Sequence, residues 1–182
     1  MTRIERLAAL LEEPLLVAGP PYVLGGQANF RYLTGLQSSN AAVLVEPDGS
    51  ATLFTDFRYA PRARAVPDVT FVEAARNLLA TIGEHLSGRR IAFEEAHLPY
   101  AGWRTLVDAG VETVPSSGLV ESLRAVKDES EIATMQRAVR SLMRSSRLSP
   151  RSALRGAPSA SSRGGSSGAS GKVAPRVCPS KR

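Results

Sequence analysis

Every aspartate and glutamate of this chain lies before Arg140, and that break constrains the fold more than any other feature. Residues 1–140 carry 14 Lys and Arg against all 17 Asp and Glu, a net charge of −3. Residues 141–182 carry 9 Lys and Arg and no acid, a net charge of +9. All aromatic residues and both histidines also lie before residue 141, while the only cysteine, Cys178, lies after it. A packed core must therefore come from the first 140 residues, enough for one domain of ordinary size. The overall charge of +6 is the sum of two unlike segments, and by itself says little about a polyanionic partner.

Several classes drop out. A single cysteine cannot form an intrachain disulfide, so a disulfide-stapled secreted fold is not expected. There is no apolar run long enough to span a bilayer. Glu12 and Glu13 fall where the apolar stretch of a signal peptide would have to be, which argues against export and for the cytoplasm.

Within residues 1–140 helical and extended patterns alternate. Ile4, Leu7, Ala8, Leu10 and Leu11 recur at helical spacing from Arg3 to Glu13, and Pro14 ends that run. Leu15 to Ala18 reads as a strand buried on both faces, followed by a Gly/Pro-rich loop. Ala41–Val45 and Ala51–Thr55 flank Glu46-Pro47-Asp48-Gly49-Ser50, a type I turn signal, so they predict a β-hairpin. Helices are expected over Arg58–Ala65, Ala74–Leu86 and Pro99–Asp108, with Ser87-Gly88 and Gly110 as stops. Strands are expected over Val69–Val72, Ile91–Phe93 and Val111–Val114. Asp128 with Glu131 three residues on predicts a capping-box helix start. About six strands and five helices, joined by hairpins and crossovers, predict an α/β domain: a mixed sheet covered by helices on both faces.

Asn29-Phe30-Arg31-Tyr32-Leu33-Thr34-Gly35-Leu36, followed by Ser39-Asn40-Ala41, resembles the N-x-R-Y-L-T-G-F…S-N-A signature of the creatinase/prolidase N-terminal domain, found in Xaa-Pro aminopeptidases and dipeptidases. Leu53-Phe54-Thr55-Asp56-Phe57-Arg58-Tyr59 resembles the strand and T-D-x-R-Y segment of that family. Ser117-Gly118-Leu119-Val120, then Leu123-Arg124 and Lys127, with Glu129 and Glu131-Ile132, is similar to the linker into its catalytic half. The resemblance implies a ribonuclease-H-like domain over residues 1–125 that caps the active site and serves oligomer contacts without chemistry of its own. Residues 126–140 would be the linker and the start of the first catalytic-domain helix. The parent enzyme would hydrolyse X–Pro bonds with two divalent metals (Mn, Co or Zn) held by two Asp, one His and two Glu in a separate domain, and would be a homo-oligomer. This chain is expected to bind no cofactor and to be inactive alone, with peptide as a substrate only when that domain is present.

Ser, Arg, Gly, Ala and Pro fill 33 of the 42 positions from Ser141 to Arg182. Such a segment buries too little apolar surface to offset its ordering entropy, so a disordered tail is expected over 141–182. Read one base out of frame, with the wobble base chosen freely, the tail can instead encode a continuation of the preceding helix and a run resembling the start of the catalytic domain. A frameshift after Arg140 is therefore expected. The competing reading is a stand-alone module whose basic arm contacts nucleic acid through phosphate neutralisation; no aromatic is interleaved for base stacking.

The candidate positions follow from the family motifs. Asn29, Arg31, Tyr32, Thr34, Gly35 and Asn40 either shape the substrate side of an assembled enzyme or serve packing and turns. Asp56, Arg58 and Tyr59 follow a strand, where α/β proteins place ligands; the alternative is an Asp–Arg pair that holds the turn. His97 lies near Glu94 and Glu95, but the spacing matches no known ligand motif, so a solvated loop is expected there. His85 near a helix end suits the dipole. Trp103 is expected in the core or as an interface anchor.

Overall fold

The computed structural model describes residues 1–18 and 26–148. The chain divides into two compact units, residues 1–132 and residues 133–182. The order of elements is α1 (Arg3–Ala8), β1 (Leu15–Ala18), α2 (Gly26–Thr34), β2 (Ala41–Val45), β3 (Ala51–Thr55), α3 (Ala60–Ala63), β4 (Thr70–Glu73), α4 (Leu78–Leu86), β5 (Arg90–Glu94), α5 (Tyr100–Asp108), β6 (Glu112–Ser116), α6 (Leu119–Ala125) and α7 (Glu129–Leu148).

The six strands form one sheet in the order β4-β3-β2-β1-β5-β6. Strand β2 is antiparallel to both β1 and β3, while β1–β5, β5–β6 and β3–β4 are parallel. Five strands therefore run one way and β2 runs the other. This is the mixed sheet expected from the sequence. The β2–β3 hairpin is closed by a Gly49 N–H bond to the Glu46 carbonyl, with Gly49 at φ 89°. The Asp48 carboxylate accepts from both the backbone N–H and the hydroxyl of Ser50.

Strand alternation sends side chains to two cores. On one face Leu15, Val17, Val43, Val45 and Leu53 pack with α1, α2 and Val120 of α6. On the other, Leu16, Ala42, Leu44, Phe54 and Ile91 pack with Leu78, Ile82 and Leu86 of α4 and Leu106 of α5. The central strands β1 and β2 are buried along their whole length, which explains their unbroken apolar runs.

The boundaries differ from expectation where local chemistry outweighs hydrophobic period. Helix α1 stops at Ala8 rather than Glu13. It is closed at its start by a capping box between Thr2 and Glu5. Helix α4 starts at Leu78 rather than Ala74, because Asn77 accepts from the Ala80 N–H as its N-cap. Helices α2 and α6 have no counterpart in the periodicity-based expectation; the first sits in the Asn29 motif and the second in the linker motif. The Asp128–Glu131 capping box is present: the Glu131 N–H donates to Asp128 and the Asp128 N–H to Glu131.

Helix α7 continues through Leu148, so residues 141–148 are helical where a disordered tail was expected from Ser141. Leu142, Met143 and Arg144 are strong helix formers, and extending a formed helix avoids the nucleation cost. The rest of the tail expectation, residues 149–182, lies outside the described residues. Among the described residues no helix is long and apolar enough to cross a membrane.

Candidate functional site

The parallel strands deliver their C-terminal ends to one edge of the sheet, and the chain puts two polar constellations there. The first lines a cavity of about 770 Å³ between that edge and helices α4 and α5. Ala18 closes β1, Asn40 and Ala41 open the reversed strand β2, and Asp56 follows β3; Leu78, Leu79, Leu98 and Gly102 supply an apolar wall. Open α/β sheets commonly bind ligands outside the carboxyl ends of their strands.

Asp56 is the pivot of this constellation. It is 3% exposed, and it accepts from the Arg58 guanidinium at 2.7 and 3.0 Å, from the Arg58 backbone N–H at 3.1 Å and from Asn40 Nδ2 at 2.9 Å. The bond from Arg58, helped by Asn40, lowers its carboxyl from 3.8 to about 2. The two-pronged pairing aims an otherwise flexible guanidinium, which stays exposed at the mouth beside exposed Phe57, Arg76 and Asn77. The Tyr59 hydroxyl lies 2.8 Å from Ser39 Oγ, a bond that lowers its pKa. Among the described residues, the only carboxylate lining the cavity is already committed to Arg58 and Asn40. The constellation can therefore hold an anionic group beside an apolar one, and none of its described residues presents a free carboxylate base.

The second constellation centres on Asn29, which is fully buried on α2. Its Nδ2 donates at 2.6 Å to Glu94 Oε1 and at 2.6 Å to Glu121 Oε1, while Arg124 Nη1 donates to its Oδ1 at 2.7 Å. His97 Nε2 lies 2.8 Å from Glu121 Oε1. Burial pushes the Glu94 carboxyl up to about 7, against the opposing pull of Asn29 and His97. Burial also works to raise Glu121, but hydrogen bonds from Asn29 and His97 outweigh it and its pKa falls. One amide thus ties α2, β5 and α6 together.

The motif positions divide between these places. Asn40, Asp56, Arg58 and Tyr59 meet at the cavity, and Asn29 lies in the second network. Of the others, Tyr32, Thr34 and Gly35 serve packing and helix termination. Tyr32 is buried, with its hydroxyl 3.4 Å from the Leu123 carbonyl and its ring under Arg3. Thr34 donates to the Phe30 carbonyl and accepts from the Leu36 N–H. Gly35 ends α2 at φ 69°, and Arg31 is exposed. The solvated loop expected at His97 is overturned: His97 is 8% exposed and Glu94 6%. Strand parity puts Glu94 on the same face as Ala92, under α2 and α6, where it meets Asn29. Trp103 is half-buried and donates from Nε1 to Thr113 Oγ1, and exposed His85 stacks edge-on to Phe54. Glu121 and Arg76 were not singled out from sequence, and Ser39 and Arg124 entered only as members of the family motifs. The signal available was an acid at the buried end of a strand and the T-G…S-N spacing before β2.

The dinuclear centre that the resemblance implies takes two Asp, one His and two Glu. Among the described residues only Glu94, His97 and Glu121 gather as a potential ligand group. No Asp joins them, so that centre does not fit here.

A family model described as the creatinase/prolidase N-terminal domain matches residues 3–126. The uncharacterized peptidase YqhT of Bacillus subtilis is 27% identical over 124 residues, covering 65% of this chain and 35% of the relative. The chain thus spans about a third of the length of that curated relative. Among solved structures, the N-terminal domain of cytoplasmic peptidase PepQ from Mycobacterium tuberculosis is 28% identical with a TM-score of 0.56, covering 66% of this chain and 97% of that one. The Xaa-Pro dipeptidase from Bacillus anthracis is 26% identical with a TM-score of 0.62, covering 72% of this chain and 37% of that one.

Proposed function

Because the chain belongs to the creatinase/prolidase N-terminal domain family, we propose that it is the non-catalytic cap and oligomer-forming domain of a cytoplasmic Xaa-Pro peptidase. The parent hydrolyses X–Pro bonds with a dinuclear metal site carried by another domain. The observation that carries this reading is the match of residues 3–126 to the family, together with near-complete coverage of a relative that is itself only an N-terminal domain.

The cavity supports a part for the cap beyond shape. Arg58, held by Asp56 beside exposed Phe57, suits the carboxylate and apolar side chain of a short peptide. The hydrolytic chemistry would belong to metals held by that other domain, which when bound would supply Lewis acidity and an activated water.

Two experiments test the proposal. The purified 182-residue chain, given Mn²⁺ or Co²⁺, is expected to leave an X–Pro peptide intact; metal-dependent cleavage by it would refute the reading. The composition break at Arg140 further supports residues 141–182 as an out-of-frame translation. An open minus-one frame past codon 140 that encodes the Asp/Asp/His/Glu/Glu set is expected, and early stop codons there would defeat the idea.

A further inference from the structure

The cavity at the sheet edge carries donors and acceptors that the fold itself leaves unused. Asp56 takes the Arg58 Nε hydrogen and one hydrogen of Nη2. A guanidinium has five N–H groups, so both Nη1 hydrogens and the second of Nη2 remain, on a side chain that is 54% exposed. Together they form the fork that pairs with a carboxylate. Exposed Arg76 also lines the cavity, and among the described residues it makes no ion pair and no side-chain hydrogen bond. Helix α4 starts beside it with no acid in its first turn, so the positive end of its dipole adds to the same potential. Charge therefore favours an anion. Two asparagines of the lining narrow the choice. Asn40 donates from Nδ2 to Asp56 and keeps Oδ1 free, while Asn77 accepts the Ala80 N–H on Oδ1 and keeps Nδ2 free. One amide acceptor and one amide donor thus share the cavity with two cations and the apolar wall of Leu78, Leu79 and Leu98.

We propose that this cavity, on this chain alone and without a metal, binds the C-terminal end of a short peptide that finishes in an apolar residue. The inference deepens the cap reading above and rests on it. The terminal carboxylate pairs with Arg58 and Arg76, and the last side chain lies against the leucine wall. The last peptide group gives its N–H to Asn40 Oδ1 and takes a hydrogen bond from Asn77 Nδ2 on its carbonyl. A trans peptide points those two groups in opposite directions. Asn40 belongs to the sheet edge and Asn77 to the start of α4, the two walls between which the cavity lies. Its volume of about 770 Å³ falls within the range usual for small-ligand sites. A simple fatty carboxylate would leave both amides without partners, which weakens binding. Inorganic phosphate would leave the apolar wall unused.

The test is isothermal titration calorimetry on the full 182-residue chain, with chelator present and the dipeptide Ala-Leu as probe. Saturable binding of one dipeptide per chain is expected. The C-terminal amide of Ala-Leu, and the variants Arg58→Gln and Arg76→Gln, are each expected to weaken it about tenfold, the loss of one charge-assisted hydrogen bond. Octanoate and inorganic phosphate are expected to bind more weakly than Ala-Leu. Arg89→Gln serves as the control, because Arg89 pairs with Glu46 at the other edge of the sheet, and it is expected to bind as the parent chain does. Arg76→Gln keeps the test decisive should Arg58→Gln fail to fold, since Arg76 is exposed. Absence of saturable binding, equal affinity for the amide, undiminished affinity in Arg76→Gln, octanoate or phosphate binding as tightly as Ala-Leu, or lost affinity in Arg89→Gln would each overturn the proposal. Any of these leaves the cap reading standing, because that reading is judged by peptide cleavage and by the reading frame past codon 140.

Discussion

Asp56 shows how much one side chain can organise. It receives four hydrogen bonds, three of them from Arg58, and removing it leaves Asn40 and the guanidinium without their acceptor. Asp56→Ala is expected to destabilise the fold by about 2 kcal/mol, measurable as a lower urea midpoint. Its depressed carboxyl also sets a pH signature. A group held from 3.8 down to about 2 contributes fully above about pH 4, and that contribution is lost as the pH falls through about 2. Urea titrations between pH 2 and 5 should therefore show a steeper acid decline for the parent chain than for Asp56→Ala; parallel curves would contradict this. The Asp-Arg pairing was legible from the spacing of Asp56 and Arg58, because it is local. The partners of Asn29 were not, since Glu94, Glu121 and Arg124 lie 65 to 95 positions away. His97 was misjudged for the same reason: no local pattern reports that a later helix will cover a turn.

At the scale of elements, the contact between α4 and α5 depends on two glycines that differ in what surrounds them. A Cβ on Gly83 would lie 2.7 Å from the Ala109 Cβ, a short atom fixed to backbone that cannot step aside. A Cβ on Gly102 would lie 2.6 Å from Leu79 Cδ1 and 3.1 Å from Leu98 Cδ1, the far ends of flexible side chains. Alanine gains about 1 kcal/mol over glycine inside a helix, while overpacking costs about 1–3 kcal/mol. Gly83→Ala is therefore expected to cost up to about 2 kcal/mol net, and Gly102→Ala to stay within about 1 kcal/mol of neutral, as read by thermal melts. A Gly102→Ala cost larger than that of Gly83→Ala would overturn this picture of the interface. Strands were legible as elements because each buried apolar run is bounded by turn residues. Helix α2 was not, because it opens at Gly26 beside a Gly/Pro-rich stretch and puts a polar residue, Asn29, on its buried face.

For the molecule as a whole, the two apolar cores and both polar constellations lie within residues 1–132. A chain ending at Ile132 is expected to unfold cooperatively with a midpoint within a few degrees of the full chain, by far-UV circular dichroism. Loss of a cooperative transition would show that later residues are needed. The sequence by itself determined the α/β class, the six strands, the hairpin and the family, because these rest on local periodicity, turn chemistry and contiguous motifs. Only the tertiary structure decided which polar residues work together. The hairpin sets Asp56 opposite Asn40, but only the packing of α4 and α5 makes that pair the wall of a cavity, and parity turns Glu94 under α2 and α6 to face Asn29 and Glu121. Such groupings arise from the closing of long loops, and no spacing along the chain encodes them.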